Sequence, residues 1–184
     1  MTKKDSACGR GSHLSADGVA LARLVVESLG PFAVVVTSAS PRAIETTVAM
    51  GLAVDDTVEL PSGYVRGEVD HHGQWSWPHP YRSFAELIGR GGGLTTVAET
   101  HRHIWTTVVA AVPEGAAALV VGHGGGIEPG LVACLPHANH GSWGMPFGHC
   151  DGARLVFDGG RFVSVQFRRT PAELLPEGPE ADGR

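Results

Sequence analysis

The chain has 184 residues, 42% of them hydrophobic and 18% charged, with a formal net charge of −5. This composition excludes a disordered chain, and the length supports one domain that buries about two-thirds of its unfolded surface. The acidic balance leaves no electrostatic footprint for nucleic acid, no apolar run approaches the ~20 residues of a membrane helix, and the polar start, Met1-Thr2-Lys3-Lys4-Asp5, lacks the apolar core of a signal peptide.

In chain order, residues 1–13 are polar and irregular. Gly18 to Leu29 carries Val19, Leu21, Ala22, Leu24, Val25, Val26 and Leu29, a helical pattern with a wide apolar face that Gly30-Pro31 stops. Phe32 to Val36 is an apolar run that reads as a buried strand. A helix over 41–50 follows, with Pro41 in its first turn and Ser40 as N-cap, and Gly51 ends it. Val58 to Leu60 reads as a short strand. Over residues 61–93 the pattern fades into Gly, His and Pro, punctuated by Trp75, Trp77, Tyr81 and Phe84, with a short helix at Phe84 to Ile88. A long irregular insertion of this kind reads as a lid over a site, and Trp75 and Trp77 are able to wall a pocket beneath it, although packing explains them as well. Thr95 to Val112 reads as a long helix stopped by Pro113, followed by a strand over 117–121 and a helix over 127–135. The last strands, Arg154 to Phe157 and Phe162 to Phe167, flank the turn Asp158-Gly159-Gly160. Alternation of strands and helices indicates an α/β fold of three layers, α/β/α, with a mostly parallel sheet. The domain is expected to span 1–169, and residues 170–184, with three prolines and four acidic residues, read as a disordered tail.

Two strand ends carry chemistry. Leu119-Val120-Val121 runs into Gly122-His123-Gly124-Gly125-Gly126, and the glycines let the backbone turn sharply and approach a ligand. A histidine between a strand's carboxyl end and a helix sits where open α/β sheets bind ligands, although a plain surface histidine fits the same residues. Arg42 lies in the first turn after the strand at 32–36. Its planar fork of donors suits phosphate, as do helix N-terminal amides. A solvated arginine paired with Glu45 is the alternative. The ten histidines form three close pairs, His71-His72, His101-x-His103 and His137-x-x-His140. No accompanying metal motif supports them as ligands, so neither metal nor cofactor is expected. The three cysteines, Cys8, Cys134 and Cys150, are an odd count without paired spacing and read as reduced thiols of a cytoplasmic protein.

Together these segments resemble the histidine phosphatase superfamily, also called phosphoglycerate mutase-like. Ser38-Ala39-Ser40-Pro41-Arg42-Ala43-Ile44-Glu45-Thr46 is similar to that family's Ser-x-x-x-Arg-Ala-x-x-Thr segment, and Val121-Gly122-His123-Gly124-Gly125 to its second-histidine turn. Leu14-Ser15-Ala16-Asp17-Gly18 is similar to its Leu-Thr-x-x-Gly segment, and the final strands to its closing hairpin. The resemblance implies a phosphohistidine mechanism, with His123 catalytic and Arg42, Thr2 and Gly124 at the substrate. It places the proton donor within Glu68-Val69-Asp70-His71-His72-Gly73-Gln74-Trp75, with Glu68 favoured over Asp70. The family's other acidic position matches Leu94, which cannot transfer a proton.

The family opens on a strand ending in Arg-His-Gly, whose histidine is the nucleophile, and that triplet occurs nowhere in these residues. Met1-Thr2-Lys3-Lys4-Asp5 is similar to the x-Thr-x-x-Asn that follows the triplet. The first strand is therefore expected to be missing, through a start at an internal methionine or through loss of the nucleophile. Residues 1–10 bending into the gap, a strand donated within a homodimer, or direct pairing of the flanking strands would compensate, the last two being favoured. Two functions follow. One is a phosphatase-like hydrolase of a small phosphorylated metabolite. The other is a non-catalytic or repurposed member that holds an anionic ligand through Arg42 and His123.

Overall fold

A computed structural model describes residues 13–174. Helix α1, Ala16–Val26, begins at Ser15, whose Oγ accepts the Gly18 amide at 3.1 Å. Strand β1, Val34–Ser38, follows, then α2, Pro41–Ala49, and the short strand β2, Asp56–Val58. A 3₁₀ turn at Gly73–Ser76 leads into α3, Pro80–Gly89, and α4, Gly93–Ala110. Strand β3, Ala118–Val121, then α5, Ile127–Cys134, precede the strands β4, Gly152–Asp158, and β5, Arg161–Arg168.

The parallel sheet has the order β2-β1-β3, as an α/β chain with helical crossovers requires. β1 lies in the middle and is the buried strand, with Val35, Val36, Thr37 and Ser38 all inside. Its register on β3 runs from Val34 opposite Ala118 to Thr37 opposite Val121. β4 and β5 form a separate antiparallel hairpin closed by Gly159 and Gly160, both at positive φ. No gap lies between the two strands that were expected to flank a missing one. The two strands read at 32–37 and 117–121 pair directly with each other. Among the described residues, β3 has no partner on its other edge, and all four of its residues are half-buried. Residues 1–10 lie outside the described residues, as does Thr2.

The apolar core gathers Val69, Tyr81, Phe84, Leu94, Trp105, Leu131 and Phe147, with Ala153, Leu155, Val165 and Phe167 of the hairpin packed against it. The segment at 61–93 is more ordered than its sequence pattern predicts. α3 begins at Pro80, ahead of the expected Phe84, because Pro80 suits a first turn and Tyr81 and Phe84 point inward at i, i+3 spacing. Among the described residues, no helix is long and apolar enough to cross a membrane.

Helices α4 and α5 touch at a glycine. A Cβ on Gly130 would lie 2.7 Å from both His101 Cβ and Trp105 Cη2. His101 Cβ is tied to the α4 backbone and cannot yield. Gly130→Ala is therefore expected to destabilise the fold by about 2 kcal/mol net, overpacking outweighing the helix propensity that alanine adds. A denaturant midpoint equal to or above that of the parent would show that the helices part without cost.

Candidate functional site

Parallel pairing brings the carboxyl ends of β1 and β3 to one end of the sheet, and the loops that leave them share a crevice. There, His123 Nε2 lies 2.9 Å from Ser40 Oγ and 3.2 Å from Ser38 Oγ. Ser38 Oγ also takes the Ser40 amide at 3.4 Å, which fixes the backbone that leads into α2. Ser40 occupies the N-cap position with extended backbone, as its sequence context predicts, but its side chain makes no capping bond. The hydroxyl is turned to the histidine instead. Arg42 follows in the first turn of α2 and is half-buried.

The electrostatics of His123 follow from this crowding. Burial lowers its pKa from 6.5 to about 4, and the nearby Arg42 guanidinium adds to the effect. His123 is neutral at pH 7. Its Nδ1 is buried and has no hydrogen-bond partner among the described residues. The site thus presents a fixed cation at Arg42, two hydroxyls and a neutral imidazole. That set can donate hydrogen bonds to the oxygens of an anion and place positive charge beside it.

The glycine turn is held from several sides. Gly125 takes φ +87°, and the Tyr64 ring lies where its Cβ would stand. Gly63 is packed so closely that a Cβ there would fall 1.5 Å from the Gly125 carbonyl oxygen. Glu128, fully buried, spans the turn and a later loop: Oε2 accepts the Gly125 amide at 2.6 Å and Oε1 the Phe147 amide at 3.1 Å. Burial raises the Glu128 pKa, and the amides that it accepts oppose that shift. Sequence reasoning missed this residue. A glutamate in the first turn of an otherwise apolar, buried helix was the available signal. Tyr64 Oη meets His72 Nδ1 at 2.9 Å and accepts from Gln74 Nε2 at 3.4 Å, so the 61–77 segment is tied to the same turn.

The sequence-predicted residues fall into three groups. The Arg42 guanidinium is near enough to His123 to lower its pKa, and Gly124 sits exposed immediately beyond the histidine, where a Cβ would be 3.5 Å from the Phe147 carbonyl oxygen. Thr2 lies outside the described residues. Glu68 is placed as a helix cap: Oε1 accepts the Gly93 amide at 2.7 Å and Oε2 the Leu94 amide at 3.0 Å, satisfying the start of α4 where Gly92 has no side chain to do so. Proton delivery by Glu68 would require release of one of these bonds. Asp70 is exposed, and its carbonyl accepts the Gly73 amide. Glu45, the alternative partner of Arg42, accepts the Leu14 amide at 2.6 Å and contacts His13 Nδ1. Among the described residues, no three His, Cys, Asp or Glu side chains are grouped to hold a metal ion.

The family model of the histidine phosphatase superfamily (branch 1) matches residues 3–170. The chain belongs to the histidine phosphatase superfamily. Solved histidine phosphatase folds agree. A phosphoserine phosphatase from Entamoeba histolytica, in complex with 3-phosphoglyceric acid, has a TM-score of 0.63 at 16% identity, covering 91% of this chain and 89% of its own. An open reading frame product of Mycobacterium tuberculosis has a TM-score of 0.58 at 18% identity, covering 88% and 86%. A mycobacterial glucosyl-3-phosphoglycerate phosphatase, complexed with VO3, has a TM-score of 0.57 at 19% identity, covering 90% and 93%. At such identities the likeness is one of fold. No curated protein sequence matches this chain.

Two outcomes test the geometry. Between its folded pKa of about 4 and its unfolded 6.5, His123 binds fewer protons folded than unfolded, so stability rises with pH across that window. Acidification from pH 6.5 to pH 4 is expected to remove up to ~3 kcal/mol through this residue. His123→Gln should flatten the slope in part, because His101, His140 and His149 are also lowered by burial and act in the same direction. An unchanged slope would mean that His123 is hydrated and titrates normally. Glu128→Gln leaves the Gly125 or the Phe147 amide facing an NH₂ group and is expected to cost about 1–3 kcal/mol, measured by urea unfolding at pH 7. A neutral result would show that water takes over the lost acceptor.

Proposed function

We propose that this chain is a phosphomonoester-binding member of the superfamily, whose site holds the phosphoryl group of a small metabolite for hydrolysis by a phosphohistidine route. The observation that carries the reading is the convergence of Ser38, Ser40 and His123 Nε2 within hydrogen-bond range beside Arg42. In such a route a histidine nitrogen attacks phosphorus, the ester oxygen leaves with a proton from an acid, and water then cleaves the nitrogen–phosphorus bond. Arg42, the serine hydroxyls and His123 would bind the equatorial oxygens in both steps. Glu68 or Asp70 would supply the proton, Glu68 only by leaving its helix cap.

The attacking histidine is the part that these residues lack, since no Arg-His-Gly is present. A strand laid parallel along the free edge of β3 would deliver its last residue to the same sheet end as Ser38 and His123. In the second reading, which rests on the missing triplet, these 184 residues bind phosphate and do not turn it over. Thr2 and Gly124 complete the proposed substrate contacts. The fold neighbours that carry a named activity are phosphatases, which supports hydrolysis over a structural role.

Binding and turnover are separable. Inorganic phosphate is expected to bind the chain, to raise the His123 pKa by placing negative charge beside it, and to bind at least ~10-fold more weakly to Arg42→Ala. Imidazole resonances followed by NMR against pH, with and without phosphate, read both effects. Hydrolysis of p-nitrophenyl phosphate is expected to stay at the blank rate. Phosphate that leaves the His123 titration untouched would place the anion elsewhere. Turnover that His123→Ala abolishes and that survives removal of every other histidine would make His123 the nucleophile.

A further inference from the structure

We propose that Ser40 and His123 form a nucleophile–base pair, and that Ser40 accepts the phosphoryl group of a small acyl phosphate in a single transfer. The inference rests on the phosphate-binding reading above and adds a class of phosphoryl donor and a covalent step. The phosphohistidine route gives the Ser40 hydroxyl to an equatorial oxygen, whereas here its Oγ bonds to phosphorus.

The geometry is that of an activated hydroxyl. Ser40 Oγ lies 2.9 Å from His123 Nε2, the reach that proton transfer requires. Ser40 stands in the turn between β1 and α2, at the sheet end where the crevice opens. An N-cap serine ordinarily spends its hydroxyl on a helix amide. Ser40 makes no such bond, so the oxygen turned to the imidazole is not engaged by the helix. Ser38 shares Nε2 at 3.2 Å, but it is only 6% exposed and its oxygen also accepts the Ser40 amide. Ser40 is half-buried and is the hydroxyl that a ligand reaches. His123 is neutral at pH 7 through burial, and a neutral ring with its proton on Nδ1 offers Nε2 as the base.

In the step, Ser40 Oγ attacks phosphorus while its proton passes to His123 Nε2. The Oγ–P bond forms, the P–O bond to the acyl group breaks, and the carboxylate leaves with the bonding electron pair. Arg42, in the first turn of α2, places positive charge beside the oxygens on which negative charge gathers. Burial and Arg42 oppose an imidazolium in the empty site, and the charge of the phosphoryl group offsets them. A carboxylate leaves without a proton. That suits a site where Glu68 is held by the Gly93 and Leu94 amides and Asp70 is exposed. An alkyl ester would leave as an alkoxide and would need that acid. The transfer stops after one round, because the phosphoryl dianion left on Ser40 stabilises the imidazolium and the base that would activate water is not regenerated. Steady turnover therefore stays at the blank rate.

Covalent capture tests this without turnover. The intact chain is incubated with acetyl phosphate and its peptides are mapped by mass spectrometry, with the urea-unfolded chain as the reference for background reaction. Binding of inorganic phosphate is measured on the same chain by calorimetry. One phosphoryl group is expected on Ser40, stable to acid as a phosphoserine is, and absent from Ser40→Ala. In His123→Gln the transfer is expected to be about 100-fold slower or more, the loss of a general base. An acid-labile adduct on His123, labelling of Ser40 as fast in the unfolded chain, or transfer in His123→Gln at the parent rate overturns the pair. A chain that binds phosphate and takes up no phosphoryl group overturns the pair and leaves the phosphate site standing. A chain that neither binds phosphate nor is labelled overturns the phosphate reading and the pair with it.

Discussion

The in-register parallel pairing of β1 with β3 is the constraint on which the site depends. Thr37 stands opposite Val121, so the next residues out of the sheet, Ser38 and Gly122, leave at the same level. The Ser38 hydroxyl at the end of β1, and Ser40 and His123 each two residues beyond a strand end, meet at this level. A slip of one residue in either strand would move the buried side of β1, Val36 and Ser38 among it, to the opposite face and carry the two hydroxyls away from the imidazole. Burial of β1 on both faces is what prevents the slip. The chemistry is therefore specified by apolar residues that never touch a ligand.

The glycine turn shows the second level of the same logic. A loop that must bring amides and a histidine to a ligand has exposed backbone groups and little side-chain packing of its own. Here it is braced from outside. Gly63 and Tyr64 press on Gly125, the Pro61 carbonyl oxygen and the His101 ring press on Gly126, and Glu128 ties Gly125 to Phe147. Glycine is needed at Gly125 for its positive φ and at Gly126 because neighbours occupy the Cβ position. A buried carboxylate is costly to desolvate, and it is tolerated because two amides answer its two oxygens. That same carboxylate holds Phe147, so one residue ties the histidine turn to a loop 19 residues further along the chain.

Most of the fold was legible because its signals are local. The apolar runs at 32–36 and 117–121 are the strands, Gly30-Pro31 and Pro113 end helices close to where they were read, and Asp158-Gly159-Gly160 makes the hairpin turn. The positions of His123 and Arg42 were legible because each sits at the junction of a strand and a helix, a place that sequence periodicity marks. Three features were not. The Ser40 hydroxyl leaves its cap for a histidine 83 residues away, a contact created only by the sheet. Glu68 answers the unsatisfied amides of α4, whose N-cap is a glycine 24 residues further on. Glu128 pairs with an amide 19 residues further on. In each case the partner is distant in sequence, so no window along the chain contains the reason for the residue.

The site that results is asymmetric. On the β1 side His123 is fully engaged, by two hydroxyls and by the field of Arg42. Toward the other edge of β3, Leu119 to Val121 stay half-buried and, among the described residues, no strand pairs with them. Parallel strands with a run of such apolar residues are ordinarily covered on both edges and both faces. The imidazole carries the same imbalance in its own hydrogen bonds, with Nε2 satisfied twice and Nδ1 buried without a partner. Among the described residues, an orphan buried nitrogen and an unpaired strand edge thus belong to the same strand and turn. Anion binding needs only the engaged half, because Arg42 and the hydroxyls supply charge and donors without help from the open side. The phosphohistidine route needs a nucleophile opposite those donors.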